Sequence, residues 1–378
     1  MTVVLADYTT LRIGGPAARL IEPETERDLV LGALEVWRRG EDWLVLGGGS
    51  NLLVGDEGFD GTVIRMAGRG VRRIDGDRED RVRVRVQAGE PWDAFVALAI
   101  HNGWAGVEAL SGIPGSVGAA PIQNIGAYGQ DVAETLVAVD FLDEASGDRL
   151  RIPAEELQLG YRTSAIKRGR RGIVIAVEFD LVPTMDRAST GGPVRYGQLA
   201  AALGVELGAR VPLAETRRAV LELRGSKGMV LDAADPDSVS AGSFFTNPIV
   251  PESFARGLPA DAPRFAMSAE PAPLVVPLDL GPEAIAAAAA IRAATTDRGP
   301  AQVKLSAAWL IERAGIRRGF ALPGSRAGIS SKHTLAIVNR GGATAAEVVQ
   351  LADYVQTRVH SEFGVRLHPE PVFVGVET

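Results

Sequence analysis

The sequence predicts an α+β protein, with an N-terminal half of two small mixed subdomains followed by a separate C-terminal domain. Three observations predict this. Short β-branched runs lie between glycine-rich turns in the first half, as is typical of short strands. Helical patterns occur in both halves. Residues 183–193 cluster Thr, Ser, Gly and Pro, which predicts a loop and a domain boundary there.

The first half supplies most of the strand predictions. Apolar or β-branched runs predict strands at residues 43–46, 52–54, 62–66, 81–86, 135–142 and 172–181. Residues 81–86 alternate Arg and Val, the period of a strand with one exposed face. Residues 91–102 are predicted to be helical, because a proline stands in the first turn and Gly103 follows the last.

The second half is predicted to be richer in helices. Helical patterns cover residues 213–223, 307–314 and 345–363, and an alanine-rich helix is predicted near 283–295. Residues 366–376 are predicted to form the last strand. Residues 270–302 carry no motif and are predicted to be an insertion.

Composition excludes several classes of function. The formal net charge of −7 argues against a nucleic-acid partner, because phosphate contacts need clustered cations. The chain has no cysteine, which removes disulfides and thiolate chemistry. No two histidines stand at helical ligand spacing, so no metal site is expected. No signal peptide or membrane-length apolar run is evident, and a cytoplasmic protein without a membrane partner is expected.

Two glycine-rich segments are candidates for binding a phosphate group. The first, Gly47-Gly-Gly-Ser-Asn51, follows a predicted strand but matches neither the dinucleotide fingerprint nor a P-loop. Its glycines would let the backbone approach a phosphate, with Ser50 and Asn51 adding hydrogen bonds. The alternative is a tight turn between two strands.

The second glycine-rich segment, residues 112–129, contains five glycines and cannot form a regular element. The polar side chains between these glycines are Ser116, Gln123, Asn124 and Tyr128. Its free backbone N–H groups suit a diphosphate, and Ile122 and Ile125 suit a ring system. The alternative is a structural loop of unusual length, although long ordered loops are usually functional.

Two charged residues stand in restricted surroundings. Arg162 lies between a tyrosine and a hydroxyl residue and could clamp a carboxylate with two parallel hydrogen bonds, or be a surface arginine. Glu370 lies between two prolines that fix its backbone, which suits an acid or hydrogen-bond partner. A solvated loop glutamate is the alternative.

Ser243 places a hydroxyl between a glycine and two phenylalanines, in the segment Gly-Ser-Phe-Phe-Thr-Asn-Pro. A serine in a dry aromatic setting can donate a proton to a reacting carbon if another group orients it. The segment does not match the nucleophile elbow of α/β-hydrolases. A turn into a core strand is the alternative.

Taken together, these segments resemble the UDP-N-acetylenolpyruvoylglucosamine reductase family of peptidoglycan synthesis. The resemblance covers nearly the whole chain, and its motifs occur in the family's order. They lie at residues 10–16, 46–53, 112–129, 161–164, 242–248, 304–311 and 367–370. Each motif is weak alone, whereas their combination is specific.

The resemblance implies a fold and a reaction. It implies a two-subdomain FAD-binding unit of the vanillyl-alcohol-oxidase (PCMH) type at residues 1–185, divided near residue 67, and a substrate-binding α+β domain at 186–365. Residues 366–378 would return Glu370 to the active site. NADPH would reduce the bound FAD, which would then reduce a UDP-sugar enol ether. A cytoplasmic monomer is expected.

The resemblance also implies roles for individual residues. Ser243 would be the proton donor, with Arg162 and Glu370 at the substrate carboxylate. FAD would be held by Gly47, Gly48, Gly49, Ser50, Asn51, Leu52, Gly115, Ser116, Gly118, Ala119, Gln123, Asn124, Gly126, Ala127 and Tyr128. The substrate would be held by Tyr196, Lys227, Asn247 and His333, with Tyr196 similar to the tyrosine that closes over the UDP in one subgroup.

Two further functions compete with this interpretation. One is an oxidase of alcohols or lactones on the same cofactor domain. Such enzymes often tether FAD through Cys or His, and the glycine-rich segments contain neither residue. The other is a sugar-nucleotide-binding protein without catalysis, against which Ser243, Arg162 and Glu370 argue.

Overall fold

The structure is a computed structural model that describes residues 3–184, 190–267 and 301–376. Helices and strands are mixed throughout these ranges, as the sequence predicts. The predicted helix near residues 283–295 and most of the predicted insertion at 270–302 lie outside the described residues. None of the described helices is long and apolar enough to cross a membrane.

The first unit is a four-stranded sheet with one helix. Its elements, with one short strand that pairs elsewhere, are β1 Val3–Val4, β2 Pro16–Ile21, α1 Glu26–Arg38, β3 Trp43–Leu46, β4 Leu52–Val54 and β5 Phe59–Arg65. The strand order is β1-β2-β5-β3, with β2 and β3 parallel to β5. The sequence analysis missed α1, which Thr25 caps and whose apolar face is built on Leu29, Ala33 and Val36. Gly32 interrupts that face, and glycine weakens a helical pattern.

The second unit is built around a larger sheet. Its elements are β6 Val71–Ile74, β7 Val82–Gln87, α2 Trp92–His101, β8 Trp104–Ala105, β9 Gly126–Ala127, β10 Gln130–Asp131, β11 Leu136–Asp143, β12 Arg149–Pro153 and β13 Gly172–Pro183. The strand order is β12-β11-β13-β7-β6, and β8 pairs with the end of β13. The predicted exposed face of β7 is wrong, because Arg83 is only 8% exposed and its guanidinium is paired with Asp180.

A small helical unit follows. Its elements are β14 Thr190–Pro193, α3 Gly197–Leu203, β15 Arg210–Pro212 and α4 Leu213–Gly225. The predicted loop at residues 183–193 is therefore wrong at both ends, since β13 extends to Pro183 and β14 begins at Thr190. Apolar side chains of α3 and α4 form their own cluster, which includes Ala109 of the second unit. This contact brings the end of α4 close to the 112–129 loop.

The C-terminal unit surrounds a separate apolar core. Its elements are β16 Ile249–Pro251, α5 Glu252–Ala255, β17 Arg264–Ala266, β18 Gln302–Leu305, α6 Ala307–Arg313, β19 Ala327–Ile329, β20 Ile337–Asn339, α7 Ala345–Phe363 and β21 Val372–Val374. Leu11, Ile13 and Leu53 of the first unit belong to the same core. The predicted strand at 366–376 is wrong in length, because only β21 forms a ladder. Pro369 and Pro371 lack the N–H groups that a longer ladder needs.

The end of the chain is joined to the first unit. Strand β21 runs parallel to β4, with Val372 opposite Leu52. The Asp56 carboxylate accepts hydrogen bonds from the N–H groups of Ala345 and Ala346, at the start of α7. These contacts hold the residues before β21 beside the first glycine-rich segment.

Candidate active site

A cavity of about 330 Å³ lies where both glycine-rich segments meet the C-terminal unit. Most of the predicted site residues line it: Gly47, Gly48, Gly49, Ser50, Asn51, Leu52, Gly115, Ser116, Ala119, Gln123, Gly126, Arg162, Ser243 and Glu370. The three predicted catalytic residues are therefore brought to one space from three distant parts of the chain. Their chemical roles remain predictions.

The two glycine-rich segments lie backbone against backbone. A Cβ atom on Gly48 would stand 2.6 Å from the Cα atom of Gly115, so no other residue fits there without movement. Gly49 has a φ of +60°, and a Cβ atom on it would stand 1.9 Å from the carbonyl oxygen of Tyr8. The Ser50 hydroxyl donates a 3.0 Å hydrogen bond to the carbonyl of Pro114 and joins the segments.

This wall of the cavity fits the cofactor that the sequence implies. The backbone N–H groups of Gly48, Gly49 and Ser50 donate no hydrogen bond to any described residue. Unpaired N–H groups in a glycine-rich turn are a site for phosphate oxygens. Apolar side chains that include Ile113, Ile122 and Ile125 line the same cavity and suit a flavin ring. The donor set therefore matches FAD in both its diphosphate and its ring.

Four predicted cofactor residues do not line the cavity: Gly118, Asn124, Ala127 and Tyr128. Gly118 packs against the Ala88 backbone, where a Cβ atom would meet the Ala88 side chain at 2.5 Å. The Asn124 amide donates to the carbonyl of Gly160 and accepts from the N–H of Ala133. In the described structure, Gly118 and Asn124 thus hold the conformation of the 112–129 loop without lining the cavity.

Arg162 fastens the second glycine-rich segment and also reaches Glu370. Its two Nη atoms donate to the carbonyls of Asn124 and Gly126, at 3.1 and 2.6 Å. Its Nε lies 3.3 Å from Oε1 of Glu370. The clamp on a carboxylate stays a prediction; in this structure both Nη atoms donate to the loop and Nε faces Glu370. The guanidinium joins the loop to the buried glutamate, and its Cζ atom lies 5.6 Å from the centroid of the Tyr161 ring.

Glu370 is held in place by its backbone. Its N–H donates to the carbonyl of Phe244 at 2.9 Å, and its carbonyl accepts from the Asn51 amide at 3.2 Å. The side chain is 14% exposed. Burial raises the pKa of the Glu370 carboxyl, although the positive charges of Arg162 and Lys167 act in the opposite direction. This carboxyl therefore holds its proton to a higher pH than an exposed glutamate does.

Ser243 is presented to the cavity by a turn that the neighbouring aromatic rings anchor. Phe244 and Phe245 are fully buried in the C-terminal core, and Gly242 has a φ of +77° that permits the turn. The Ser243 hydroxyl lies 3.4 Å from Nε2 of His333. The alternative interpretation was a turn into a core strand; Ser243 does lie in a turn, and Phe245 makes only an isolated β-bridge, to Pro369.

None of the four predicted substrate residues lines the cavity, although His333 contacts Ser243, which does. Lys227 and Tyr196 both pack on the Tyr128 ring, with the lysine Nζ and the Tyr196 ring centroid each 5.7 Å from its centre. The Asn247 side chain accepts from the N–H of Ala307 at the start of α6. Tyr128 thus stands with the predicted substrate residues and not with the cofactor residues.

Sequence analysis missed two cations that line the cavity. Arg224, at the end of α4, is 7% exposed, and its guanidinium donates to the carbonyls of Gly112 and Met229. Burial lowers its pKa. Lys167 lines the cavity near Glu370 and is more exposed. Lys167 is one of only four lysines, and that rarity could have drawn attention to it. Arg224 is one of many arginines and carried no sequence signal.

Two protein-family models match the chain. Residues 17–153 match the family model of an FAD binding domain, and residues 235–374 match that of the UDP-N-acetylenolpyruvoylglucosamine reductase C-terminal domain. The predicted α+β fold, an FAD-binding unit followed by a second domain, is thereby confirmed. The glycine-rich wall of the cavity lies within the first matched range and the Ser243 turn within the second.

Full-length relatives agree with both matches. The chain is 59% identical over 376 residues to UDP-N-acetylenolpyruvoylglucosamine reductase of Leifsonia xyli subsp. xyli, covering 98% of each chain. It is 49% identical to the protein of that name from Thermobifida fusca, covering 99% of this chain and 97% of the relative. The crystal structure of the reductase from Thermus caldophilus matches with a TM-score of 0.61 and 28% identity, over 99% of this chain and 98% of that one. Since the likeness spans both walls of the cavity, this chain belongs to the UDP-N-acetylenolpyruvoylglucosamine reductase family.

Proposed function

We propose that this protein reduces UDP-N-acetyl-3-O-(1-carboxyvinyl)-glucosamine to UDP-N-acetylmuramate in peptidoglycan precursor synthesis, with NADPH as reductant and FAD as cofactor. The observation that carries the proposal is the convergence of Ser243, Arg162 and Glu370 on one cavity with a phosphate-binding wall. The family to which the chain belongs supports the same reaction. Bound FAD supplies the hydride for the enol-ether carbon.

The backbone of the first glycine-rich segment would bind the cofactor. The N–H groups of Gly48, Gly49 and Ser50, which donate to no described residue, would hold its diphosphate, and the apolar wall formed by Ile113, Ile122 and Ile125 would pack on its rings. These contacts need no side-chain charge. They would leave Arg162, Lys167 and Arg224 for anionic groups of cofactor and substrate.

Arg162 and Glu370 stabilise the charge that forms during reduction. Negative charge develops on the carbon next to the substrate carboxylate and spreads into that carboxylate. The Arg162 guanidinium balances it, and the Glu370 carboxyl, whose pKa is raised by burial, lies beside Arg162 to donate a hydrogen bond in its protonated form. Fixed charges and donors at the point where charge develops are usually the largest single contribution to catalysis.

Ser243 completes the reaction by proton transfer. Its O–H bond breaks as a C–H bond forms at the charged carbon, so the substrate becomes a saturated ether. Lys227 and Tyr196, which share contact with Tyr128, hold the nucleotide part of the substrate, and Tyr196, 45% exposed, closes over the UDP. Asn247 contributes a further substrate contact. We propose a cytoplasmic monomer. Size-exclusion chromatography with light scattering tests the oligomeric state.

The Ser243→Ala variant tests this function. Without oxygen, NADPH should bleach its flavin at the parent rate, because Ser243 takes no part in that step. Return of the flavin absorbance on adding UDP-N-acetyl-3-O-(1-carboxyvinyl)-glucosamine should slow by about 10²–10⁴-fold, the usual contribution of a positioned acid.

Several outcomes would contradict the proposal. Equal reoxidation rates in parent and variant would remove Ser243 from the mechanism. A purified parent protein without flavin absorption would refute every flavoenzyme function, including that of an alcohol or lactone oxidase. Flavin reduced by simple alcohols and not by NADPH would favour that oxidase.

A further inference from the structure

The hydroxyl of Ser243 has one side-chain neighbour that the proposed reaction does not yet use. His333 Nε2 lies 3.4 Å from Ser243 Oγ, and Oγ makes no other hydrogen bond to a described residue. The two side chains come from segments 90 residues apart. Their contact is therefore a product of the tertiary fold.

The backbone fixes this contact from both sides. The Ser330 hydroxyl accepts from the N–H groups of Lys332 and His333 and holds the turn that carries the imidazole. Directly beyond that turn, the Leu335 carbonyl accepts a 2.7 Å hydrogen bond from the N–H of Phe244, the residue after Ser243. The two segments are thus joined one residue after Ser243 and two residues after His333.

The surroundings of His333 set its protonation state. Burial, followed by the positive charges of Lys227 and Arg224, lowers the pKa of His333 to about 4. Arg318 acts in the same direction and Glu312 against it. The imidazole is therefore neutral near pH 7, and one of its two nitrogens carries a proton.

The chemistry of the proton transfer selects which nitrogen that is. A serine that gives its proton to a carbon must point its O–H bond at that carbon. The hydrogen bond with His333 must then be one that Oγ accepts, so Nε2 must carry the proton. A neutral imidazole can act as such a donor to a developing oxyanion.

We propose that His333 is a positioning residue whose Nε2–H donates a hydrogen bond to Ser243 Oγ, aims the serine O–H at the reacting carbon and stabilises the alkoxide as it forms. This inference rests on the proposed function. In the step itself the Ser243 O–H bond breaks, the C–H bond forms and the electron pair of the O–H bond stays on Oγ. A proton from solvent water then restores the hydroxyl, and His333 keeps its own proton throughout.

Two substitutions separate this role from a structural one. His333→Phe removes the donor, whereas His333→Gln keeps an N–H near the same place. The holoenzyme is reduced with NADPH without oxygen and mixed with UDP-N-acetyl-3-O-(1-carboxyvinyl)-glucosamine, in H₂O and in D₂O. For His333→Phe we expect reoxidation to slow by about 10²–10³-fold, as for loss of one oxyanion donor. Its solvent isotope effect should rise, because proton transfer becomes the slow step, and NADPH should still bleach the flavin within about twofold of the parent rate.

The conservative variant and a double variant complete the test. His333→Gln should reoxidise within about tenfold of the parent, since an amide N–H can replace the ring N–H. In a Ser243→Ala background, His333→Phe should add no further loss, because the two residues act as one unit. If His333→Phe binds no FAD, His333→Leu takes its place in the same comparison.

The inference and the proposed function fail in different ways. A parent enzyme that the UDP-sugar enol ether does not reoxidise refutes the proposed function. An active parent together with a His333→Phe variant of equal rate and equal isotope effect overturns the role of His333 alone. A loss in His333→Gln as large as in His333→Phe, or an undiminished loss in the Ser243→Ala background, would also overturn it.

Discussion

Two groups of arginines in this protein differ in the groups that accept their hydrogen bonds. Arg83 and Arg85 on strand β7 donate to carboxylates, whereas Arg162 and Arg224 at the cavity donate mainly to backbone carbonyls. The side chains are similarly removed from solvent, at 8% and 12% exposed for the β7 pair and 24% for Arg162. Burial alone therefore does not distinguish them.

On β7 the positive charge is cancelled where it stands. Arg83 makes two 2.8 Å hydrogen bonds to Asp180, and Arg85 reaches both Glu26 and Asp140. A buried arginine with paired carboxylates has no charge to offer a ligand. Such a network holds strands together, and its net contribution to stability depends on how well every group is satisfied.

At the cavity the positive charge of the arginines is not neutralised by nearby carboxylates to the same extent. Arg224 donates to the carbonyls of Gly112 and Met229, and no carboxylate of the described residues lies within salt-bridge distance of it. Among the described residues Arg162 has one salt-bridge partner, Glu370, and burial raises the pKa of that carboxyl, which favours its uncharged form. A carbonyl solvates a guanidinium without neutralising it. This surplus positive charge is what the proposed anionic cofactor and substrate would meet in the cavity.

The Arg162→Lys variant should show the largest effect of this difference. A lysine Nζ cannot serve the two carbonyls and Glu370 together, because it lacks the planar fork of the guanidinium. We expect flavin reoxidation by the UDP-sugar enol ether to slow by roughly a thousandfold, about 4 kcal/mol at the upper end for one lost stabilising donor. Stopped-flow absorbance of the NADPH-reduced enzyme measures it.

Arg168→Lys is the matched control. Arg168 stands on the same segment, is exposed and makes its hydrogen bonds to Thr163 and Gln158. Its reoxidation rate should stay within about twofold of the parent, in line with the small effects of most surface substitutions. Equal losses in both variants would mean that the segment, and not the guanidinium of Arg162, sets the rate.

This distinction also defines how far the sequence could predict the molecule. The helix at 345–363 was predicted to the residue, because its helical pattern and its stop at Gly364 are local signals; the structure adds a Thr344–Glu347 capping box at its start. The glycine-rich segments were singled out from local composition, whereas the roles of the three catalytic candidates came from the resemblance of several motifs in order. The final strand was overpredicted because Pro369 and Pro371, which lack the N–H groups of a longer ladder, were not weighed; its partner among the described strands, β4, lies more than 300 residues earlier in the chain.

What could not be predicted are partners that depend on the tertiary fold. The alternation of Arg and Val on β7 gives the same pattern whether the arginines face water or carboxylates. Arg224 looks like an ordinary charge in the last turn of a helix, because the carbonyls that bind it belong to a loop more than 100 residues away and to the turn after α4. Sequence patterns show where charge stands along the chain but not what neutralises it.

The Arg83→Met variant tests the structural group. It leaves Asp180, 15% exposed, without its partner, and removing one member of a buried pair costs about 3 kcal/mol in the free energy of unfolding. Chemical denaturation of the holoenzyme measures it. Arg83→Met combined with Asp180→Leu should recover most of the loss, because the remaining partner of Arg83, Asp77, is 88% exposed and no buried charge is left unpaired.

Both variants should keep parent rates in the two half-reactions while folded, since β7 carries no surplus charge to the cavity. Arg72→Met, on the exposed edge strand β6, is the control and should change the unfolding free energy by less than about 0.5 kcal/mol. A loss of activity without loss of stability in Arg83→Met would contradict the separation of the two groups.

The smallest expected effect is a pH dependence at the partly exposed end of the same network. Burial alone would raise the pKa of Glu26, but hydrogen bonds from Arg85, Gln87 and Arg149 outweigh it and hold the pKa at about 2, below the ordinary 4.5. A carboxyl whose pKa falls on folding stabilises the protein above its unfolded pKa and loses that contribution as pH falls through the folded one. The parent should therefore lose stability between pH 4.5 and about 2. Because Glu26 is 25% exposed and screened by solvent, we expect on the order of 1 kcal/mol or less from this residue.

In Glu26→Gln that part of the decline should be missing from thermal unfolding curves recorded across this range, whereas the decline due to other carboxylates remains. An unchanged pH profile would show that Arg85 and Arg149 are neutralised by Asp140 alone, and the carboxylate-paired group would then be smaller than the structure indicates.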